Sequence, residues 1–310
     1  MTRALDPSSP LFAKGKHGSL GAGPAAILAR AEQVLYHAGC GFPEPPLRAA
    51  PSGPVKVGVD LGTAYLVLMV LDEQGNPLAG EYQFAQVVRD GLVVDFVSAV
   101  DLLTAMKARV EKRVGCELTQ AASAFPPGVP RVEVRATAHV VEAAGLRCET
   151  LIDEPSAANA VLGLQRGAIV DVGGGTTGIA IIEDGNVVYT ADEATGGTHF
   201  SLVIAGAHDV SFEEAEAMKL DPAEQARLMP VVRPVIEKVA SITARHVAEY
   251  ERQSGKAVEQ LTLVGGTAAF PGMADVVQEY TGLTTDVPER PMFVTPLGIA
   301  MQDRPAWDME

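Results

Sequence analysis

Two short stretches of the chain carry the same kinds of residue in the same order. Asp60-Leu61-Gly62-Thr63-Ala64 lies inside VGVDLGTAYLVLMVLD, and Asp171-Val172-Gly173-Gly174-Gly175-Thr176-Thr177-Gly178 lies inside AIVDVGGGTTGIAIIED. In each, a carboxylate, glycine and threonine interrupt an otherwise apolar run. Glycine lets the backbone approach a ligand closely, and consecutive N–H groups form a nest for an anion. Threonine adds a hydroxyl donor. The carboxylate suits Mg²⁺, which keeps most of its waters and takes only one or two carboxylates. Together such groups would grip phosphate and a hydrated cation. For the first stretch alone a plain hairpin turn explains the residues equally well. The second is harder to dismiss, because three successive glycines weaken the strands around them and need a reason. A third stretch, Gly265-Gly266-Thr267 after QLTLV, suits close approach to a flat nucleoside, with Pro271 opening the next helix. Alone, it reads more simply as a tight strand-to-helix turn.

The elements that must position these loops follow from periodicity. VKVGVDLG and TAYLVLMVLD read as two strands about a glycine turn, with a second turn at Glu73-Gln74-Gly75-Asn76. Residues 98–114 read as a helix with Ser98 as N-cap. AASAFPP is a short strand, PRVEVRATAHVVEAAGL a helix ending at Gly145, CETLIDE a strand, and PSAANAVLGL a helix with proline in its first turn. GAIVDVGGGTTGIAIIEDGNVVYT then repeats the opening plan, at an offset of about 110 residues that is too long for a solenoid. Helices near 211–219 and 230–253, the strand QLTLVGG, a helix after Pro271 and a last helix TPLGIAMQ complete the pattern. The repeat predicts two similar α/β domains facing each other.

Ahead of them, residues 1–22 are rich in Ser, Pro, Gly and Lys, as loose termini are. A helix is expected over 24–40, with Ile27, Leu28, Ala31, Val34, Leu35 and Ala38 on one face and Gly39 as its stop. The proline-rich stretch GFPEPPLRAAPSGP reads as an extended linker. The expected division is 1–54 for the terminus, helix and linker; 55–168 for the first domain, to which 295–303 returns; 169–294 for the second; and 304–310 for a tail.

At 47% hydrophobic and 20% charged, the 310 residues are globular in composition. A formal net charge of −15 argues against a nucleic-acid partner, although backbone N–H groups and a divalent cation still allow a small phosphate ligand. Three scattered cysteines, Cys40, Cys116 and Cys148, offer no zinc or redox pair and fit reduced cytosolic thiols. The six histidines show no metal-ligand spacing. No signal peptide and no membrane span is expected.

The order of the three loops resembles the phosphate-1, phosphate-2 and adenosine motifs of the actin, DnaK-type chaperone and sugar-kinase superfamily. IDEPSAANAVLGL and TPLGIAMQ resemble the two connecting segments of the DnaK-type ATPase domain, and VVRDGLVVDF an actin-like MreB segment. Together with SAFPPGVPRV, DVGGGTTGIAII and ADEATGGTHFSL they resemble the EutJ family of ethanolamine-utilisation operons, over roughly residues 55–302. The resemblance implies an actin-like (ribonuclease H-like) ATPase fold with ATP or ADP and Mg²⁺ in the cleft between two domains. Gly62, Thr63 and Ala64 would then cradle the β- and γ-phosphates, while Gly174, Gly175, Thr176 and Thr177 close from the other side. Asp60 and Asp171 would hold Mg²⁺ through water, and Glu154 would orient or deprotonate the attacking water. Gly197 would lie near ribose and phosphates, Glu216 and Lys219 at ribose and adenine, and Gly265, Gly266 and Thr267 against adenosine. For Glu216 and Lys219, a solvated helix face is the competing reading.

Three departures from the DnaK-type pattern bear on turnover. Gly178 stands where those proteins have Asp, no counterpart of their catalytic Lys is found between Tyr82 and Ala121, and Ala269 replaces an adenine-stacking Arg. Hydrolysis is therefore expected to be slow, since phosphoryl transfer depends on positioning and charge around the γ-phosphate. Seven residues follow Asp303, so peptide binding in the DnaK manner is not expected. The family resemblance implies a chaperone-like or reactivating role in the cytoplasm, beside ethanolamine-utilisation enzymes or microcompartment shell proteins. Other classes stay open: an actin-like scaffold that binds nucleotide without turnover, or a small-molecule kinase, for which no acceptor pocket is identified. The helix at 24–40 either packs on the first domain or docks on a partner. The sequence leaves the oligomeric state open.

Overall fold

Asp60 and Asp171 each stand near the end of a strand that turns at once into a hairpin, and the fold is built around that repetition. The computed structural model describes residues 23–38, 50–89, 92–128 and 131–303. The terminus over 1–22, most of the proline-rich linker and the tail after Asp303 lie outside them. The chain begins with helix α1 (Pro24–Val34) and strand β1 (Leu35–His37), followed by β2 (Lys56–Leu61), β3 (Tyr65–Leu71) and β4 (Pro77–Phe84). A small hairpin, β5 (Val88–Arg89) and β6 (Leu92–Val93), precedes α2 (Phe96–Val114), β7 (Ala122–Phe125), α3 (Arg131–Ala143), β8 (Leu151–Asp153) and α4 (Glu154–Leu162). The second half holds β9 (Arg166–Val172), β10 (Thr177–Glu183), β11 (Asn186–Glu193), α5 (Gly197–His208), α6 (Phe212–Leu220) and α7 (Pro222–Ser254). It ends with β12 (Gln260–Val264), α8 (Met273–Thr281), β13 (Thr284–Asp286) and α9 (Val294–Met301), with 3-10 turns at Gly266–Ala269 and Pro291–Phe293.

The strands form two large sheets, ordered β1-β4-β3-β2-β7-β8 and β11-β10-β9-β12-β13. In each, a three-strand antiparallel meander is extended by two parallel strands. The first sheet has one strand more, β1, parallel to β4. Alternation along β3 divides its side chains between two faces. Leu66, Leu68 and Val70 belong to a core with Leu103, Met106 and Val110 of α2 and Val140 and Val141 of α3. Val67, Met69 and Leu71 belong to another with α1, α4, α9 and, from the second sheet, Ile169, Ile182 and Val264. The remaining face of the second sheet packs on α5, α7 and α8 through Phe200, Ile236, Val239 and Val276.

Helices α4 and α9 pack against each other at close backbone range. A Cβ on Gly298 would lie 1.8 Å from the carbonyl oxygen of Ala157, and one on Gly58 of β2 would lie 2.5 Å from the nitrogen of Ala300. After α9, the Asp303 carboxylate accepts from the Val57 N–H at 2.9 Å and from Gln120 Nε2 at 3.0 Å, fastening the chain back onto the first sheet.

Several boundaries differ from the sequence expectation. The first helix stops at Val34, and Leu35–His37 is a strand, because the unpaired edge of β4 captures it. Asp95, rather than Ser98, caps α2, accepting the Ser98 N–H at 3.0 Å. The helix expected from 230 starts eight residues earlier at Pro222, capped by Asp221, and runs through Pro230 and Pro234. Strand β4 and helix α5 are additional to the expected elements. Among the described residues no helix is long and apolar enough to cross a membrane.

Candidate functional site

The two hairpin loops close by the same backbone bond: Gly62 N–H donates to Tyr65 O at 3.0 Å, and Gly173 N–H to Thr176 O at 3.0 Å. They also meet each other. A Cβ on Gly174 would lie 2.5 Å from Ala64 Cβ, and one on Gly175 would lie 2.6 Å from Thr63 Cγ2. Glycine is what permits this approach, since a real Cβ cannot come so near. Beside the loops runs a cleft of about 650 Å³, lined by Asp60, Gly62, Thr63, Ala64, Glu154, Asp171, Gly174, Thr176, Glu216, Lys219 and Gly265-Gly266-Thr267. Residues predicted from three separate stretches thus share one cavity.

Three carboxylates sit deep in it. Asp60 is pushed up to about 7, first by removal from water and then by the charge of Asp171. Glu154 is driven well above the usual carboxylate range by burial and by the charges of Asp60, Asp171, Asp192 and Asp153. Asp171 is raised by burial, an effect opposed by the Thr295 hydroxyl, which donates to its Oδ2 at 2.8 Å. Like charges held together in a poorly solvated place disfavour ionisation, and a cation among them would favour it. Among the described residues no group of three His, Cys, Asp or Glu could ligate a metal directly. A hydrated ion, which needs few direct ligands, suits these carboxylates.

Comparison with known proteins bears on the same residues. The family model for the type IV pilus assembly protein PilM matches residues 129–296. The ethanolamine utilisation protein EutJ of Salmonella typhimurium is 43% identical over 258 residues, 83% of this chain and 88% of that protein. The crystal structure of EutJ from Carboxydothermus hydrogenoformans is 47% identical, with a TM-score of 0.76, covering 82% of this chain and 92% of that one. The chain belongs to the EutJ family. MreB5 of Spiroplasma citri, solved with AMPPNP, is 18% identical with a TM-score of 0.64, covering 81% of this chain and 96% of that one, and shows the fold alone. The fold is therefore the actin-like one that the family resemblance implies.

In this member of the EutJ family, the second loop is held from outside. Gly173 O accepts both the Gly197 N–H at 2.9 Å and the Thr267 hydroxyl at 2.8 Å, and Gly174 O accepts the Thr198 N–H at 2.7 Å. Gly265 adopts φ +88° beside Asp171, where a Cβ would lie 2.3 Å from Asp171 Oδ1. Glu216 and Lys219 do not form a solvated helix face. They pair at 2.6 Å with side chains only 12% and 13% exposed, and Lys219 also donates to Gly197 O at 3.2 Å and Ser201 Oγ at 3.1 Å. Burial lowers the Lys219 pKa, and the Glu216 charge opposes that shift. Thr177 requires a correction. Its buried hydroxyl donates to Thr195 O at 2.6 Å, so it pins the loop from behind and is no donor to the cleft.

Sequence reasoning missed two carboxylate neighbours. Thr295 was recognised only as part of a connecting segment, because nothing local shows that its hydroxyl reaches Asp171. Asp192 pairs with Gly178 across β10 and β11, and a Cβ at 178 would lie 3.9 Å from its Oδ1. Counting back from the Asp184-Gly185 turn would pair Gly178 with Ala191. The irregularity between Ile181 and Ile182 shifts the register by one and brings Asp192 opposite.

Proposed function

We propose that the cleft binds ATP or ADP with hydrated Mg²⁺, and that the protein is a slow ATPase switch of chaperone-like or reactivating type in bacterial ethanolamine utilisation. The observation that carries this reading is the meeting of two like hairpin loops beside one cavity that three carboxylates also line. N–H groups of Gly62, Thr63 and Ala64 would receive phosphate oxygens from one side, and those of Gly174, Gly175 and Thr176 from the other. Asp60 and Asp171 would hold the waters of the cation. The cation supplies charge neutralisation at the phosphates.

Glu154 is the group suited to orient or accept a proton from a water, since its surroundings keep its affinity for a proton high. Glu216 and Lys219 would face ribose and adenine, Gly197 would stand behind them, and Gly265, Gly266 and Thr267 would lie along the nucleoside. The two domains, about 55–168 with 295–303 and about 169–294, would close on the ligand, because only a closed cleft lets both loops touch it. We place it in the cytoplasm beside microcompartment enzymes or shell proteins, a reading supported only by the ethanolamine-utilisation relatives. The absence of a side chain at Gly178, and of any lysine lining the cleft other than the Glu216-paired Lys219 among the described residues, supports binding with slow turnover.

Isothermal titration with ATP, with and without Mg²⁺, tests the reading. Saturable heat that weakens when Mg²⁺ is removed is expected; no heat and no thermal shift would sink it. Phosphate release should be measurable but slow, and should fall at least tenfold in Glu154→Gln with affinity retained.

A further inference from the structure

Residues 24–37 lie across a groove that touches the supports of two cleft loops. On one side, β1 places Leu35 beside Gly80, Tyr36 beside Glu81 and His37 beside Tyr82, and Arg30 Nε donates to Pro77 O at 3.0 Å. On the other, Glu32 pairs with Arg290, and α1 packs on the Pro291–Phe293 turn and on α9. Pro291 O accepts the Gly265 N–H at 3.0 Å, one residue from that ion pair. His37 stacks on Tyr82 at 4.3 Å and meets Tyr65 edge-on at 5.8 Å, and Tyr65 O closes the first hairpin loop. Glu32 and His37 themselves line the cleft.

This segment owes its structure to docking. Helix α1 has 11 residues, no side-chain N-cap, no acidic residue in its first turn and no basic residue in its last. A helix so short is marginal in water, and burial of Ile27, Leu28, Ala31 and Val34 is what holds it. The strand beneath is equipped to stand alone. Glu81 of β4 points inward and is clamped by Arg109 and by Arg113 at 2.8 Å, and inward charges are a device of edge strands. The Arg113 guanidinium lies 5.3 Å from the Tyr36 ring centroid, a cation–π contact that docking of β1 adds.

We infer that the groove between the β4 edge and α9 is a peptide-binding surface, occupied in cis by residues 24–37 as an exchangeable ligand, and that its occupancy is coupled to that of the cleft. The groove stands on the geometry above, while the coupling rests on the nucleotide reading. Coupling is reciprocal, so nucleotide would hold the segment down and a free cleft would release it.

Hydrogen exchange on the full chain tests this. In the wild type, amides over 24–37 should exchange at least tenfold faster than those of β9, through local opening. Leu28→Asp should expose them together with the β4 amides that face β1, leaving β9 protected. A fluorescent peptide of residues 23–38 should then bind Leu28→Asp saturably and wild type barely. If Leu28→Asp fails to fold, the double variant Arg30→Ala/Glu32→Ala, which removes two polar contacts of α1 and leaves its apolar face intact, should speed exchange over 24–37 several-fold. Exchange of 24–37 only with global unfolding, or no peptide binding to a folded variant, overturns the groove. With ATP and Mg²⁺ present, exchange over 24–37 should slow several-fold. Calorimetric binding of ATP with that exchange unchanged overturns the coupling and leaves the cleft reading standing. Peptide binding without any ATP heat supports the groove and overturns both the coupling and the cleft reading.

Discussion

The two hairpin loops are alike in residues and in closing bond, yet they are supported differently. The loop at Asp60 is held by its own strands and by β4, through Gly62 N–H to Tyr65 O and Ala85 N–H to Ala64 O. The loop at Asp171 receives three further bonds from elements remote in sequence, the start of α5 and the Gly266–Ala269 turn. One is a simple hairpin, and the other is a junction where three segments meet. A common motif therefore does not imply a common mechanical role. The second loop is the more firmly braced of the two.

The largest effect should come from the junction. Gly265→Ala would force a side chain into positive φ and against Asp171 Oδ1 and the Val172 carbonyl, so a stability loss on the order of 3 kcal/mol is expected in denaturant unfolding. If Gly265→Ala unfolds within about 1 kcal/mol of wild type, the junction is not rigid. Next is the contact between the two loops. Gly174→Ala should weaken ATP binding at least tenfold in calorimetry, with a smaller loss of stability. Ala64→Gly in the same chain should restore part of it by removing the methyl that the new side chain meets. Failure of that rescue would mean that the loops do not oppose each other.

The third effect is electrostatic. A carboxyl raised in the folded chain binds more protons than in the unfolded one, so stability falls as pH rises between the two values. For Asp60 that window runs from about 3.8 to about 7. Asp60→Asn should therefore melt higher than wild type at pH 8 without cation, and level with it near pH 3.5. Asp171→Asn should gain less, since the Thr295 hydroxyl already relieves that carboxylate. Equal gains in a melting series against pH would remove the distinction between the two acids.

Both hairpins were legible in the sequence because their glycines break strong apolar runs, and the repeat of Asp60 at Asp171 joined them. The repeat alone leads to two similar α/β domains; the actin-like fold and the cleft residues come from the family resemblance that these motifs carry. What stayed hidden was non-local. Strand β1 exists only because β4 offers an edge, and the periodicity of 24–40 is satisfied by a helix until that edge is known. Helix α5 opens on Gly196-Gly197, two poor helix formers, and its buried Phe200 and Ile204 hold it against the core. The role of Thr177 could not be told from that of Thr176, because strand alternation decides which hydroxyl faces the cleft. Asp192 was masked by an irregularity of a single residue.

The close packing of α4 on α9 has a mechanical consequence. At Gly298 the backbones touch with no side chain between them, and Gly58 lets β2 come close to Ala300 as well. Material that dense yields little to compression, so the first sheet, α4 and α9 hold together as one unit. If the cleft closes on a ligand as proposed, that unit would carry the first loop with it, and a methyl group added at Gly298 would act on a ligand it never touches.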